Sequence, residues 1–155
     1  MYTYQREGGV FLEESCLEKQ RKIKLYFKEC ADEQARYEKI IDLGKKNSSL
    51  LKEFKVDENL VPGCQSRMYL RSYEKNGRIY FEAESDALIS SGLAVLLIEV
   101  YSGEEPEVIL KCPPDYLEEL GISASLTPGR ANGLYSIHLR MKRDALKFLM
   151  NKNAK

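Results

Sequence analysis

The stretch RMYLRSYEKNGRIYFEAES, residues 67–85, decides the fold class of this chain. Two runs rich in tyrosine and aliphatic residues flank Asn76-Gly77, the pair typical of a two-residue type I′ hairpin turn. Two faces alternate along the second run, with Ile79, Phe81 and Ala83 on one and Tyr80, Glu82 and Glu84 on the other. The sequence therefore predicts strands over 67–74 and 78–85, and their packed face requires a covering layer of helices.

A buried helix is predicted directly after this hairpin. Ser85 is a candidate cap for a helix that begins at Asp86 and continues to about Tyr101. Residues 93–98 in its centre are apolar on nearly all sides, which is typical of a helix enclosed by the core. We therefore expect this helix to lie on the hairpin.

Two helices are predicted before the hairpin. The first runs from about Leu17 to Cys30, where apolar residues recur at the spacing of one helical face. Asp32 is expected to cap the second, and Gly44 is expected to end it in the left-handed conformation. A polar connector over residues 45–59 then leads toward the first strand.

A long helix is predicted near the end of the chain, where Thr127-Pro128 gives a cap followed by proline at the first helical position. Its buried stripe is expected to be Leu134, Ile137, Met141, Ala145 and Phe148, and its solvent face Arg140, Lys142, Arg143 and Lys147. Shorter helices are expected at Pro106 and over residues 115–120.

The predicted class is α+β, with a small antiparallel sheet covered by helices from both ends of the chain. A chain of 155 residues corresponds to about one domain. We expect an N-terminal extension over residues 1–16, the domain over 17–150 and a short tail over 151–155.

Charge and hydropathy exclude several classes of function. Lysine plus arginine total 24 and aspartate plus glutamate total 24, so a net charge of zero argues against a nucleic-acid-binding module. The longest apolar run, residues 93–98, is far short of the roughly 20 residues that span a bilayer. The first twenty residues lack the apolar core of a secretion signal, so a cytoplasmic location is expected, with no nucleic acid and no membrane among the partners.

The cysteine pattern argues against disulfides and metal sites. The chain has four cysteines, Cys16, Cys30, Cys64 and Cys112, none within five residues of another, and a single histidine. Structural zinc sites normally show close cysteine or histidine pairs, so no metal ligand is assigned.

The most unusual segment is Val61-Pro62-Gly63-Cys64-Gln65-Ser66, in which proline and glycine force a loop just ahead of a strand. Cys64 is placed at the loop tip, where a thiol is a good sulfur nucleophile, and the Ser66 hydroxyl is a candidate to stabilise its thiolate. The residues alone leave two interpretations equally open, a reactive thiol or a small apolar side chain buried under a loop.

Two further residues are weighed for chemistry. His138 is the only candidate base for a Cys-His hydrolase, but its place at the border of the apolar stripe favours a partly packed surface residue. Arg130 falls in the first turn of the last helix, where a cation opposes the helix dipole. It is either a tolerated surface arginine or a contact for an anion or a partner.

Three separated motifs together resemble the SufE family of sulfur acceptors. They are Val61–Ser66, the Glu84-Ser85-Asp86-Ala87 junction with Gly92-Leu93 beyond it, and Leu126-Thr127-Pro128-Gly129-Arg130-Ala131-Asn132-Gly133-Leu134. The segment from Tyr37 to Gly44 is similar too, and the resemblance covers roughly residues 17–149.

The resemblance implies a fold shared with U-type cluster scaffolds and a partner role for a pyridoxal-phosphate-dependent cysteine desulfurase. Cys64 would take persulfide sulfur from the desulfurase, stimulate it, and deliver sulfur to an iron–sulfur cluster assembly scaffold. The chain would hold no cofactor itself, and its binding residues would be Gly63, Gln65, Ser66, Asp86 and Arg130. A thiol-independent regulatory adaptor is the alternative function, and whether the chain is a monomer or a homodimer stays open.

Overall fold

The computed structural model describes residues 13–153. Its helices are α1 (Glu14–Phe27), α2 (Glu33–Lys46), α3 (Leu88–Tyr101), α4 (Pro106–Lys111), α5 (Asp115–Glu119) and α6 (Pro128–Asn153), and its strands are β1 (Met68–Lys75) and β2 (Arg78–Ser85). Single 3-10 turns occupy Lys52–Phe54, Asp57–Asn59 and Ser123–Ser125. This arrangement confirms the predicted α+β class.

The hairpin prediction is confirmed. β1 and β2 pair antiparallel from Met68 opposite Ser85 to Lys75 opposite Arg78. Asn76 and Gly77 both have positive φ, 55° and 79°, as a type I′ turn requires. The packed face of β2 is buried and its other face is partly or fully exposed, because side chains alternate along a strand.

Helix α3 is the buried helix of the core, as predicted, and it packs on β2, α1, α2 and α6. It begins at Leu88 rather than Asp86, so the predicted start is wrong by two residues. Ser85 does not cap α3. Its hydroxyl accepts from the Ala87 N–H at 3.2 Å, which is a local contact in the segment before the helix.

The role predicted for Gly44 is wrong. It lies inside α2, not at a left-handed end, and a Cβ there would come within 2.0 Å of the Leu88 carbonyl oxygen of α3. Gly92 of α3 is equally tight against the Ile40 carbonyl oxygen, at 1.9 Å. The two glycines therefore let α2 and α3 pack backbone to backbone. The predicted Asp32 cap is confirmed, since its carboxylate accepts from the Ala35 N–H at 2.8 Å.

Helix α1 begins and ends three residues before the predicted limits, and Cys30 follows it in a turn where its N–H donates to the Phe27 carbonyl. Helix α6 starts as predicted: the Thr127 hydroxyl accepts from the Arg130 N–H, and Pro128 is its first residue. Leu134, Ile137, Met141 and Ala145 of the predicted stripe are buried.

The placement of Arg140 on the solvent face of α6 is wrong. Its side chain is only 10% exposed and points toward the segment that precedes β1. At the two ends of the domain, α1 crosses the predicted boundary at residue 16 and α6 continues to Asn153, whereas residues 1–12 and 154–155 lie outside the described part of the chain. Within residues 13–153 no helix is long and apolar enough to cross a bilayer.

Candidate functional site

The loop that carries Cys64 is closed at its base by main-chain contacts to β1. The Val61 N–H donates to the Met68 carbonyl at 2.9 Å, and Leu60 forms an antiparallel bridge with Tyr69. Residues 62–67 therefore project from a fixed base. Pro62 and Gly63 at the tip are exposed.

The loop runs antiparallel along one face of α6, and the residues it meets there are small. Gly63 has a φ of +87°, which favours glycine, and a Cβ there would lie 2.5 Å from Ser136 Oγ, so that the serine hydroxyl would have to turn away. Further along, Cys64 Sγ lies 3.7 Å from the position of a Cβ on Gly133. Small side chains on α6 thus let the loop backbone approach the helix closely.

Cys64 is half-buried under its own loop. Its Sγ lies 3.8 Å from the Gly133 carbonyl oxygen, toward which the thiol donates. Cys64 lines a cavity of about 10 Å³ together with apolar residues, among them Met68, Leu93 and Ile137. The same residue also lines an open groove of about 590 Å³ in front of the loop. Cys64 therefore lies between a small, largely apolar space and an open groove.

Burial raises the pKa of the Cys64 thiol, and the nearby Arg130 guanidinium partly offsets this by lowering it. Donation to a carbonyl oxygen also favours the protonated form. The resting group is accordingly a thiol at neutral pH. A pKa near neutrality, which persulfide exchange would favour, requires the sulfur to leave this environment.

Arg130 joins the loop to two other elements. Its Nη1 donates to the Ser66 hydroxyl in the loop and to the Ser90 hydroxyl in α3, the latter at 2.7 Å. The Ser66 oxygen thus accepts from Arg130, and the cation that opposes the α6 dipole is compensated by these two hydroxyls. Arg130 is a loop contact, not a free surface arginine.

The remaining predicted binding residues differ in their distance from the thiol. Gln65 is exposed next to Cys64, and its Oε1 lies 2.5 Å from the position of a Cβ on Gly129. Asp86 is exposed at the end of β2, where its N–H donates to the Arg67 carbonyl at 3.4 Å and its carboxylate accepts from Ser85. Asp86 therefore belongs to the rim of the site.

His138 lies away from Cys64, so the structure does not form a Cys-His pair. Five residues of α6 separate it from Gly133, a rotation of about 140° around the helix. Its ring packs 5.1 Å from the Tyr101 ring, and it borders a groove between α6 and α5. Burial, and secondarily Lys142, lower its pKa to about 4. It is buried, at 8% exposure, rather than a border residue.

Comparison with known proteins decides the family. The family model described as the SufE Fe–S metabolism associated domain matches residues 21–145. The chain belongs to the SufE family. This confirms the family predicted from the motifs and supports the sulfur-acceptor role in iron–sulfur metabolism that they imply.

Individual SufE relatives agree with this assignment. An uncharacterized SufE-like protein of Synechocystis sp. is 36% identical over 127 residues, 82% of this chain and 80% of that protein. The cysteine desulfuration protein SufE of Wigglesworthia glossinidia brevipalpis is 31% identical, over 77% of this chain and 84% of that protein. This chain spans only 33% and 44% of longer SufE-family proteins from Arabidopsis thaliana and Plasmodium falciparum.

A solved structure has the same fold. The solution structure of a hypothetical protein from Thermus thermophilus matches with a TM-score of 0.70 at 25% identity. The match covers 85% of this chain and 96% of that one. The shared fold thus extends over most of the chain.

The other cysteines of this SufE-family chain have different surroundings from Cys64. Cys16 in α1 and Cys112 at the end of α4 are buried, and their contact, together with burial, raises the pKa of Cys16. Cys30 is partly buried against the core. Within residues 13–153 no group of three cysteine, histidine or acidic side chains is arranged to hold a metal ion.

Sequence reasoning missed three participants in the loop environment: Ser90, Gly133 and Ser136. A signal for the last two was available, because Gly129, Gly133 and Ser136 recur at helical spacing and form a stripe of small residues on α6. Ser90 lies in a helix that the sequence marks only as core. Its role depends on Arg130 from a distant segment, which no local pattern encodes.

Proposed function

We propose that this chain accepts sulfane sulfur on Cys64 from the persulfide of a pyridoxal-phosphate-dependent cysteine desulfurase. It passes this sulfur toward an iron–sulfur cluster assembly scaffold and stimulates the desulfurase by relieving it of its product. Membership of the SufE family supports this role, as does the name cysteine desulfuration protein borne by a relative that is 31% identical. The chain acts as a carrier and activator, and the pyridoxal phosphate belongs to the partner.

The transfer is a thiol exchange that needs no external oxidant. The Cys64 thiolate attacks the terminal sulfur of the desulfurase persulfide, and a bond forms between Sγ and that sulfur. The sulfur–sulfur bond of the donor breaks, and its electron pair leaves with the desulfurase cysteine. That thiolate takes up the proton that Cys64 has lost, so the products are a Cys64 persulfide and a free desulfurase thiol.

The observation that carries the proposal is the position of Cys64 between two spaces. In the resting state Cys64 lines the small apolar cavity under the loop, and its thiol donates to the Gly133 carbonyl. The open groove that Cys64 also lines gives a partner a route to the same residue. A sulfane sulfur held on the inner side is protected from reduction and oxidation.

Docking must change the state of the thiol. Because burial raises the pKa of Cys64, moving the sulfur into the groove lowers its pKa and increases the thiolate fraction at neutral pH. Gly63 at a φ of +87° lies next to the atom that moves. Gly63, Gln65, Ser66, Asp86 and Arg130 are the residues we propose to bind or position the partner around this loop.

The test is mass spectrometry of the protein after incubation with a cysteine desulfurase and cysteine. We expect one added sulfur atom, mapped to the peptide that contains Cys64 and removed by a reductant. A label on Cys30 or another cysteine would contradict the assignment. Full stimulation of the desulfurase by a Cys64→Ser variant would instead favour the thiol-independent adaptor.

A further inference from the structure

Arg140 makes a second connection between α6 and the segment that carries Cys64. Its Nη1 donates to the Leu60 carbonyl at 3.1 Å, and its Nη2 donates to the Glu58 carbonyl at 2.6 Å. Both carbonyls lie just before the loop, on the N-terminal side of its base. Arg140 therefore holds the entry to the loop, whereas Arg130 contacts its exit at Ser66.

The Arg140 side chain is itself fixed. Its Nε lies 3.3 Å from an Asp144 carboxylate oxygen, and the other carboxylate oxygen accepts from the Ser72 hydroxyl of β1 at 2.8 Å. The side chains of Arg140 and Asp144 are each only 10% exposed. An arginine that donates to two carbonyls and to a largely buried carboxylate is more rigid than one in an exposed surface pair. These hydrogen bonds thus connect α6, β1 and residues 58–60 rigidly to one another.

The tip of the loop lacks comparable restraints. Cys64 is held by a weak sulfur contact of 3.8 Å to Gly133, and Ser66 by a side-chain hydrogen bond to Arg130. The base, in contrast, combines the Arg140 fork with the Val61 N–H to Met68 carbonyl bond. The base is thus held by two charge-assisted hydrogen bonds from Arg140 and one main-chain bond, whereas the tip has one charge-assisted bond, from Arg130 to Ser66, and the weak sulfur contact. The loop should therefore open at its tip before its base.

We propose that Arg140, oriented by Asp144 and Ser72, is a positioning residue that fixes the base of the Cys64 loop and confines its opening to residues 62–66. The benefit of a fixed loop base for sulfur transfer rests on the function proposed above. A loop that opens from a fixed base presents Sγ along a narrow range of directions. The loop therefore loses less conformational entropy when Cys64 reaches the persulfide of the desulfurase. A loop released at its base would expose the thiol more often but place it less accurately.

The first test uses the reduced full chain alone, without desulfurase. Iodoacetamide labelling followed by peptide mass spectrometry gives separate alkylation rates for Cys64, Cys16 and Cys112. In Arg140→Ala we expect Cys64 to react about tenfold faster, the factor that corresponds to loss of one hydrogen bond to a charged group. Cys16 and Cys112 are buried in other elements, and their rates should not change.

Two matched variants separate the positioning role of Arg140 from its charge. Arg140→Lys keeps the positive charge but cannot hold both carbonyls and Asp144 at once, so its Cys64 rate should lie between those of the wild type and Arg140→Ala. Lys147→Ala removes a positive charge from the exposed surface of the same helix and should leave the Cys64 rate unchanged.

The second test measures sulfur transfer from a desulfurase to the same variants. We expect kcat for Cys64 persulfide formation to fall about tenfold in Arg140→Ala while alkylation of Cys64 rises, with recovery in part in Arg140→Lys. An unchanged Cys64 alkylation rate, or a parallel rise at Cys16 and Cys112, overturns the proposal. Because alkylation does not involve the desulfurase, a failure of the proposed sulfur transfer would leave the first test intact.

Discussion

Helix α6 presents two chemically different faces to the rest of the molecule. The face toward the Cys64 loop consists of small or hydrogen-bonding residues, Gly129, Gly133, Ser136, Arg140 and Asp144. The opposite face, toward α5, contains Ala131, Leu134, His138 and Lys142. These sets recur every three or four residues, so each forms a continuous stripe along the helix.

The difference shows how one helix both builds the core and contacts the Cys64 loop. Leu134 and its apolar neighbours are buried against the domain, a non-directional contact that tolerates no gap. The loop face of α6 instead holds the Cys64 loop by a few directional contacts beside its glycines, and each of these contacts can break without the others. If the proposed function is right, substitutions that break these directional contacts change sulfur transfer, whereas those on the α5 face change stability.

The largest effect is expected for Cys64→Ser, which should abolish persulfide formation while the fold is kept, because a hydroxyl lacks the nucleophilicity of sulfur. Cys16→Ser and Cys112→Ser should still accept sulfur on Cys64. Each of these should lower the free energy of unfolding by roughly 1–3 kcal/mol, since a buried polar group replaces a well-packed thiol. Mass spectrometry reads the first effect and thermal denaturation the second. Persulfide found on the Cys64→Ser chain would remove the loop face from the mechanism.

The next effect is expected for Arg130→Ala, with sulfur transfer reduced roughly tenfold, about the value of one charge-assisted hydrogen bond. The variant loses the contacts to Ser66 and Ser90 but no core packing, so its melting temperature should stay close to that of the wild type.

The pH dependence of the Arg130→Ala variant has a defined sign. Arg130 lowers the pKa of Cys64 against the stronger effect of burial, so removing the guanidinium raises that pKa further. The rate of Cys64 alkylation should therefore reach its half-maximal value at a higher pH than in the wild type. A profile that does not move, together with unchanged transfer, would make Arg130 a structural residue only.

A smaller effect is expected for Gly63→Ala, compared with Gly133→Ala as its control. Alanine at a φ of +87° is strained by about 1 kcal/mol, and its Cβ would meet Ser136 Oγ at 2.5 Å. The open loop should become about fivefold more populated, which iodoacetamide labelling of Cys64 would measure. At Gly133 the added Cβ makes only ordinary contacts of 3.7 Å, so labelling should change less than about twofold.

Local patterns were sufficient to predict the hairpin, the buried helix α3 and the packed stripe on α6. They failed where tertiary contact overrides a local signal. Gly44 looks like a helix end because glycine commonly ends helices. Glycine is needed at this position for another reason: the Leu88 carbonyl oxygen lies within 2.0 Å of where a Cβ would be. No pattern in α2 reveals which helix will cross it.

The candidate site was predictable in its centre and not in its surroundings. Cys64 and Gly63 lie together in one unusual loop, so the sequence alone singles them out. Arg140 has the spacing of a solvent-facing residue. Only the folded chain shows that two carbonyls 80 or more residues away accept hydrogen bonds from its guanidinium. Partners that are this remote in sequence leave no periodic trace.

The smallest effect on sulfur transfer is expected for His138→Leu, which should transfer normally at pH 7 because His138 lies on the α5 face and contacts Tyr101 rather than the loop.

The effect of His138→Leu is instead on stability in acid. The pKa of His138 is about 4 in the folded chain against roughly 6.5 when unfolded, so below pH 6.5 the unfolded state binds the additional proton. Stability therefore falls as the pH is lowered from 6.5 to 4, by about 2 kcal/mol at pH 5 relative to pH 7. Urea denaturation at these two pH values should show that His138→Leu loses about 2 kcal/mol less than the wild type, and an equal loss in both proteins, or slower transfer at pH 7, would break the division between the two faces of α6.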